Sequence, residues 1–182
     1  HQGEILIDGT DINNIPDKEY FSKISLLRKN STLFSMSIKD NFELVEKDQN
    51  KIVDVCTKLG IHNDIVKLKD SYNTQLGEHD SLPESLKQLI AIARIILKGS
   101  KIMLFDDALL GLDDEEQNKV MSLLNELKRD HTIVMITHDY NILKYAENII
   151  VMDAKSVVET GNLNELIAKK GAYYSLFESS VK

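Results

Sequence analysis

Two runs of apolar residues, each ending in polar residues, dominate the second half of the chain. They are Lys101-Ile-Met-Leu-Phe-Asp106 and His131-Thr-Ile-Val-Met-Ile-Thr137. Near-continuous apolar runs of this length are typical of parallel strands that are buried on both faces. Between them, Asp114 to Arg129 has apolar residues at helical spacing, an acidic first turn and basic residues at its end, which predicts an amphipathic helix. The alternation of strand and helix indicates an α/β fold.

The remaining segments supply further elements. Residues 37 to 97 have apolar positions three and four apart, which predicts a mainly helical block. A short strand ending at the Asp8-Gly9 turn signal and a second apolar run from Lys23 to Arg28 precede this block, with a polar stretch containing Pro16 between them. After the second buried run we expect a helix at 140–145, a strand at 148–152 with a hairpin partner at 156–158, and two short helices.

Composition narrows the class of protein. With 42% apolar residues in 182, the chain is long enough for one globular domain. The net charge of −7 argues against nucleic acid or an anionic membrane surface as a partner but is compatible with a single nucleotide. The single cysteine, Cys56, lies in a helical pattern, so we expect a buried apolar side chain and a reducing environment. No apolar stretch approaches the roughly 20 residues that cross a bilayer, so we expect the chain itself to be soluble.

Asp106 and Asp107 directly follow the first buried run. In open α/β folds, ligands bind at the carboxyl ends of the strands, and a carboxylate there suits Mg²⁺ beside phosphate groups. Taken alone, two carboxylates after a strand are more often a helix cap or a turn. The whole segment from Lys101 to Asp113, however, resembles the Walker B strand and D-loop of ABC ATPases, whose pattern is four apolar residues, Asp, Glu, Ala, three small residues, Leu and Asp.

Other segments extend this resemblance along the chain. Leu82 to Arg94 resembles the family signature LSGGQ followed by KQRIAIAR, and Ile136-Thr-His138-Asp resembles the switch-histidine loop. A lone histidine at a strand end would more often be structural, but here it lies in register with the other motifs. The segments 3–9, 33–41, 72–78, 161–166 and 171–176 also resemble exporter sequences. The chain is thus similar over its whole length to the ATP-binding domain of exporter-type ABC transporters.

The resemblance implies a role for each matching position. Asp106 would be the carboxylate on the magnesium side, Asp107 would occupy the place of the catalytic Glu, and Asp113 would belong to the D-loop. His138 would contact the γ-phosphate. The implied cofactors are ATP and Mg²⁺, bound by the full-length parent protein.

The resemblance also implies an architecture and partners. The fold would be an α/β, RecA-like P-loop NTPase core formed by residues 1–35 and 99–182, with a helical subdomain at 36–98. A transmembrane domain of the same parent chain would precede residue 1, and a second ABC nucleotide-binding domain would complete a homodimer or heterodimer. The expected location is the cytoplasmic face of the cell membrane, reached through the parent chain.

Two departures from the family pattern concern phosphate binding. The P-loop, GxxxxGK followed by Ser or Thr, does not occur in these residues, so we interpret the chain as the C-terminal part of an ATP-binding domain. The glutamine of the Q-loop, which in the family touches magnesium and the attacking water, falls on Lys29. A cation cannot replace that ligand.

Two more departures affect the signature and the catalytic carboxylate. Pro83 offers neither a hydroxyl nor an N–H, Glu84 brings negative charge near a phosphate, and only Ser85 keeps a donor. The alternative is an ordinary helix start, in which Asp80 or Ser81 is the cap and Pro83 lies in the first turn. Asp107 is one methylene shorter than Glu, so a large loss of general-base catalysis is expected.

These features predict an ATP-binding part of an ABC exporter that couples ATP binding and hydrolysis to transport through a degenerate or weakly hydrolysing site. The chain belongs by resemblance to ATPases, but alone we expect it neither to bind ATP tightly nor to hydrolyse it. The alternatives are a soluble, non-transport ABC ATPase and a regulatory or interaction module.

Overall fold

A computed structural model describes residues 3–29, 33–77 and 81–181 of the chain. It divides into two compact units, with the boundary after Ile136. The strands are β1 (Leu6–Ile7), β2 (Thr10–Asp11), β3 (Ile24–Arg28), β4 (Ile102–Asp106), β5 (Thr132–Ile136), β6 (Ile149–Asp153) and β7 (Ser156–Gly161). The α-helices are α1 (Asp17–Lys23), α2 (Ile38–Glu43), α3 (Gln49–Lys58), α4 (His62–Lys67), α5 (Glu84–Lys98), α6 (Asp114–Leu127), α7 (Tyr140–Leu143), α8 (Leu163–Lys169) and α9 (Ala172–Val181).

The first unit is built on a three-stranded parallel sheet in the order β3, β4, β5. The register places Arg28 beside Asp106 and Asp106 beside Ile136, so the three strands end at the same edge. Met103 and Phe105 of the central strand are fully buried. The mixed α/β fold with a parallel sheet is therefore confirmed.

The prediction that both apolar runs are buried on both faces is wrong for β5. Val134 is 49% exposed and Ile136 is 56% exposed. On β4, two buried side chains alternate with half-buried ones. The apolar runs predicted the strands correctly, but burial depends on which elements cover each face, and that information lies outside the strand's own sequence.

The predicted helical block between β3 and β4 consists of α2, α3, α4 and α5. Ile38 and Phe42 of α2 are fully buried, as is Cys56 of α3. Burial raises the pKa of the Cys56 thiol to about 11, which agrees with the expected role of a small core residue. The longest helix, α5, ends at Gly99, whose φ of 62° is left-handed and favours glycine.

Among the described residues before β3, sequence patterning missed β2, a 3-10 helix at Ile12–Asn14 and the helix α1. The predicted turn at Asp8 and Gly9 joins β1 to β2, and both residues have positive φ. The polar stretch after it, however, contains α1, which begins after Pro16 and carries Asp17 and Glu19 in its first turn. None of the α1 residues is buried, so the helix lacks the apolar stripe by which sequence analysis recognises one.

The second unit is formed by the β6–β7 hairpin with α7, α8 and α9. The hairpin is antiparallel, as predicted, with an irregularity between Val151 and Met152. Its small core contains Ile149, Val151, Leu166 and Tyr173. In the part of the chain that the structure describes, no helix is both long and apolar enough to cross a membrane.

Candidate functional site

The two carboxylates predicted to carry the chemistry lie at the carboxyl edge of the sheet. Asp106 is the last residue of β4, and its carbonyl accepts a hydrogen bond from the Lys29 N–H at 2.9 Å. The N–H of Asp107 donates to the carbonyl of Ile136 at 3.0 Å, so this residue bridges to the end of β5. Both carboxylates are half-buried. The structure thus brings Lys29, Asp106 and Asp107 together through backbone hydrogen bonds.

Asp107 has an unusual backbone conformation. Its φ is 47°, in the left-handed region, where Asp and Asn are tolerated better than other residues with a side chain. Asp107 is therefore the turn residue that the simpler interpretation of the carboxylate pair expected, and it also lies at the edge where α/β folds bind ligands.

The segment from residue 108 to residue 112, named here the connecting segment, joins the carboxylates to α6. Ala108 and Leu109 are buried, and Leu110 is exposed. Within the segment, the N–H of Leu110 donates to the carbonyl of Asp107 and that of Leu112 to the carbonyl of Leu109, both at 3.2 Å. Two successive tight turns therefore shape this short connection.

Asp113, predicted as the D-loop carboxylate, is the N-cap of α6. Its carboxylate accepts the N–H of Glu116 at 2.8 Å, and the Glu116 side chain accepts the N–H of Asp113 at 3.0 Å. This reciprocal arrangement is a capping box, and it satisfies two backbone donors at the helix start. The structure accordingly gives Asp113 a role in fixing the start of α6.

The signature-like residues lie at the start of α5. Pro83 occupies the N-cap position and Glu84 is the first helical residue, so Pro83 precedes the first turn and the alternative that Ser81 is the cap is wrong. Asp80 lies outside the described residues. No side-chain hydrogen bond from a described residue caps this helix at Pro83. Glu84 is exposed and pairs with Lys87 at 3.1 Å, and Ser85 follows it in the first turn.

His138 belongs to the second unit. It is exposed and lies just before α7. Its neighbour Asp139 caps that helix by accepting the N–H of Asn141 at 2.8 Å, and the Asp139 N–H donates to Thr137 Oγ1 at 3.0 Å. These contacts fix the backbone on both sides of His138.

The donor set at the end of β4 suits a hard cation held partly by other ligands. Mg²⁺ commonly takes one or two protein carboxylates and completes its shell with water and substrate phosphates. Asp106 and Asp107 can supply such carboxylates. Among the described residues, no cluster of three or more His, Cys, Asp or Glu side chains is arranged to hold a metal. The residues therefore fit a Mg²⁺ that arrives with a nucleotide, and they do not form a dedicated protein cage.

One polar cluster of the first unit was not recognised from the sequence. Asn41 of α2 is fully buried, and its Oδ1 accepts both the Phe34 N–H at 3.0 Å and Arg94 Nη1 at 3.1 Å. Its Nδ2 donates to the carbonyls of Phe34 and Ser37, each at 3.0 Å. The Arg94 guanidinium also lies 5.0 Å from the centre of the Phe34 ring, and burial lowers its pKa. The signal available in the sequence was Arg94, a charged residue within the apolar part of α5.

The chain is similar to known transport proteins over nearly its whole length. The ABC transporter family model matches residues 1–110. The chain is 35% identical to the ABC multidrug transporter atrD of Emericella nidulans over 179 residues, which cover 96% of the chain and 13% of that protein. It is 31% identical to the ATP-dependent lipid A-core flippase of Francisella tularensis subsp. tularensis over 186 residues, which cover 100% of the chain and 30% of that protein.

A comparison with solved structures also finds similarity to an ABC exporter. The chain is similar to a bacterial Atm1-family ABC exporter with ATP bound, with a TM-score of 0.92 and 26% identity. That match covers 100% of this chain and 32% of the exporter chain. The chain therefore spans less than a third of the length of each of these three proteins.

Proposed function

This chain belongs to the ABC transporter family and is an ATP-binding domain of the exporter type, and we propose that it couples ATP binding to export in a larger protein. The observation that carries the proposal is the pair Asp106 and Asp107 at the carboxyl edge of a central parallel strand. α5 and its signature-like start belong to the same compact unit. Binding groups at that edge agree with the general placement of ligands in α/β folds.

Each site residue has a proposed role. Asp106 would hold Mg²⁺, which when bound neutralises charge on the nucleotide phosphates. Asp107 would orient the attacking water and accept its proton, and His138 would donate to the γ-phosphate. Ser85 would donate a hydrogen bond to the phosphate held by a second domain, while Asp113 would keep the connecting segment in place.

We infer that hydrolysis at this site is weak. The Asp107 carboxylate is shorter than that of Glu by one bond, roughly 1.5 Å, and general-base catalysis contributes about 10²- to 10⁴-fold only within hydrogen-bonding reach. Lys29 stands where the family has the glutamine of the Q-loop, so a cation replaces a neutral ligand. The start of α5 would otherwise attract phosphate. There Pro83 stands in place of a hydrogen-bond donor but has no N–H, and Glu84 stands in place of another donor but is an anion.

The proposed assembly follows from the exporter relatives. Residues 1–35 and 99–182 would form the RecA-like core and residues 36–98 the helical subdomain, completed by a P-loop elsewhere in the parent chain. The partners would be a transmembrane domain of the same chain and a second nucleotide-binding domain, at the cytoplasmic face of the membrane. No nucleic acid is proposed as a partner, because the chain carries a net charge of −7.

The test is made on the full-length protein purified in lipid nanodiscs. Binding of ATP and its hydrolysis are measured with and without Mg²⁺, for the wild type, Asp106→Asn and the exposed control Asp130→Asn. We expect Mg²⁺-dependent ATP binding with slow hydrolysis, lost in Asp106→Asn and unchanged in the control. Absence of ATP binding in the wild type would favour an interaction module, and a full-length protein without membrane spans would favour a soluble ABC ATPase.

A further inference from the structure

The side chain of Gln88 joins α5 to the connecting segment. Its Nε2 donates to the carbonyl of Ala108 and also to the carbonyl of Leu110, the latter at 3.3 Å. Gln88 lies one helical turn after Glu84, the first residue of α5. One amide group therefore links the beginning of that helix to the two residues on either side of the buried Leu109.

These contacts add to the hydrogen bonds within the connecting segment. The turns described above use the carbonyls of Asp107 and Leu109. Gln88 uses those of Ala108 and Leu110, and Gln117 of α6 donates to the carbonyl of Leu112 at 3.4 Å. The contact to Ala108 is partly buried, and a carbonyl that is removed from water needs such a partner, because an unpaired one loses its hydration without compensation. Two glutamine side chains from two helices thus fix the path of a segment that lacks regular secondary structure.

The mechanical consequence concerns Asp107. The residue has a left-handed backbone, and it is held on one side by the end of β5 and on the other by the turn to Leu110. If the carbonyls of Ala108 and Leu110 lose their partner, the turn can relax and the carboxylate can move. A displacement of about 1 Å in a positioning element can cost on the order of 10²-fold in rate.

We propose that Gln88 is a positioning residue that transmits displacements of the start of α5 to the carboxylate of Asp107. The proposal rests on the proposed function, in which the start of α5 meets a phosphate and Asp107 faces the attacking water. Gln88 touches neither reactant. It acts through the connecting segment, whose two carbonyls it holds.

The geometric part is tested by hydrogen exchange on the full-length protein without nucleotide. In Gln88→Met, which keeps the length of the side chain but has no donor, we expect the amides of Leu110 and Leu112 to exchange about tenfold faster. Gln88→Lys, which restores donors, should return exchange to within about threefold of the wild type. Gln49→Met is the matched control, because Gln49 is exposed and donates only to Glu43 at 2.9 Å among the described contacts.

The functional part is tested by ATP hydrolysis of the same proteins. We expect Gln88→Met to lower kcat about tenfold with KM for ATP within twofold, while Gln49→Met changes neither. If Gln88→Met does not fold, Gln88→Glu, which has the same shape, replaces it in both measurements. Unchanged exchange at Leu110 and Leu112 would overturn the proposal, as would faster exchange with an unchanged kcat. If the wild type itself binds no ATP, the proposed function fails, and exchange alone decides whether Gln88 holds the segment.

Discussion

The buried cluster around Asn41 offers a direct test of how the segment after β3 is attached to α5. Replacing Asn41 with Leu keeps the approximate volume but removes four hydrogen bonds at once. Three of them involve backbone groups of Phe34 and Ser37, and the fourth comes from the charged Arg94. The buried amide therefore serves both a loop and a helix.

The expected cost follows from these contacts. A typical intramolecular hydrogen bond contributes about 1 kcal/mol net, and one to a charged group about 1.5–3 kcal/mol. Because the Phe34 N–H and the Arg94 guanidinium would lose a partner while remaining partly buried, their desolvation adds to the loss. These losses come to about 4.5–6 kcal/mol, and burial of the apolar leucine side chain returns about 1.5–2 kcal/mol. We therefore expect Asn41→Leu to lower the free energy of unfolding by about 3–4 kcal/mol.

The assay is equilibrium urea unfolding of the 182-residue chain, followed by circular dichroism. Asn50→Leu is the matched control, since Asn50 is exposed on α3, and it should change stability by less than about 0.5 kcal/mol. A double-mutant cycle with Arg94→Met separates the charged contact from the other three, with an expected coupling of about 1–2 kcal/mol. A loss below about 1 kcal/mol for Asn41→Leu would refute the reasoning, because it would mean that these hydrogen bonds are replaced by water at no cost.

Three further outcomes are expected. In the full-length protein, Asp107→Glu should raise ATP hydrolysis less than about tenfold, because Lys29 and the altered signature remain and groups that act as a unit do not add independently; a hundredfold gain in steady-state turnover would show that the other departures are harmless. The isolated chain should not bind Mg-ATP tightly, and a dissociation constant near micromolar by calorimetry would contradict this, since the P-loop supplies most phosphate contacts. Tyr173→Phe should leave the midpoint of thermal unfolding unchanged or raise it, because the buried Tyr173 hydroxyl has no hydrogen-bond partner among the described residues; a drop equivalent to more than about 1 kcal/mol would indicate a hidden partner.

The sequence predicted the elements whose own side chains define them. β4 and α6 were recognised because an apolar run and an apolar stripe are local signals. The roles expected for Asp106, Asp107 and Asp113 came from the resemblance of their segment to a family. α1 was missed because it buries none of its residues. The exposure of Val134 depends on which elements cover its face of the sheet. The capping role of Asp113 depends on where α6 begins.

The polar contacts of the site were the least predictable part. Nothing in the spacing of residues reveals that Gln88 donates to two carbonyls about 20 positions later, because that contact is set by how α5 packs on the sheet. The same holds for Asn41, whose acceptor is shared by a loop amide and an arginine 53 positions away. Long-range side-chain contacts of this kind follow from the tertiary fold and leave only the residue type as a signal.

The exposed side chains of β5 have a practical consequence for anyone who produces this chain alone. In the described sheet β5 pairs only with β4, so it is an edge strand of that sheet, and its apolar Val134 and Ile136 are exposed. An apolar strand edge of this kind is a template for adding strands from other molecules. Recombinant chain at high concentration would therefore tend to precipitate or enter inclusion bodies. Replacing Val134 with lysine, or fusing a segment that covers β5, should reduce this aggregation.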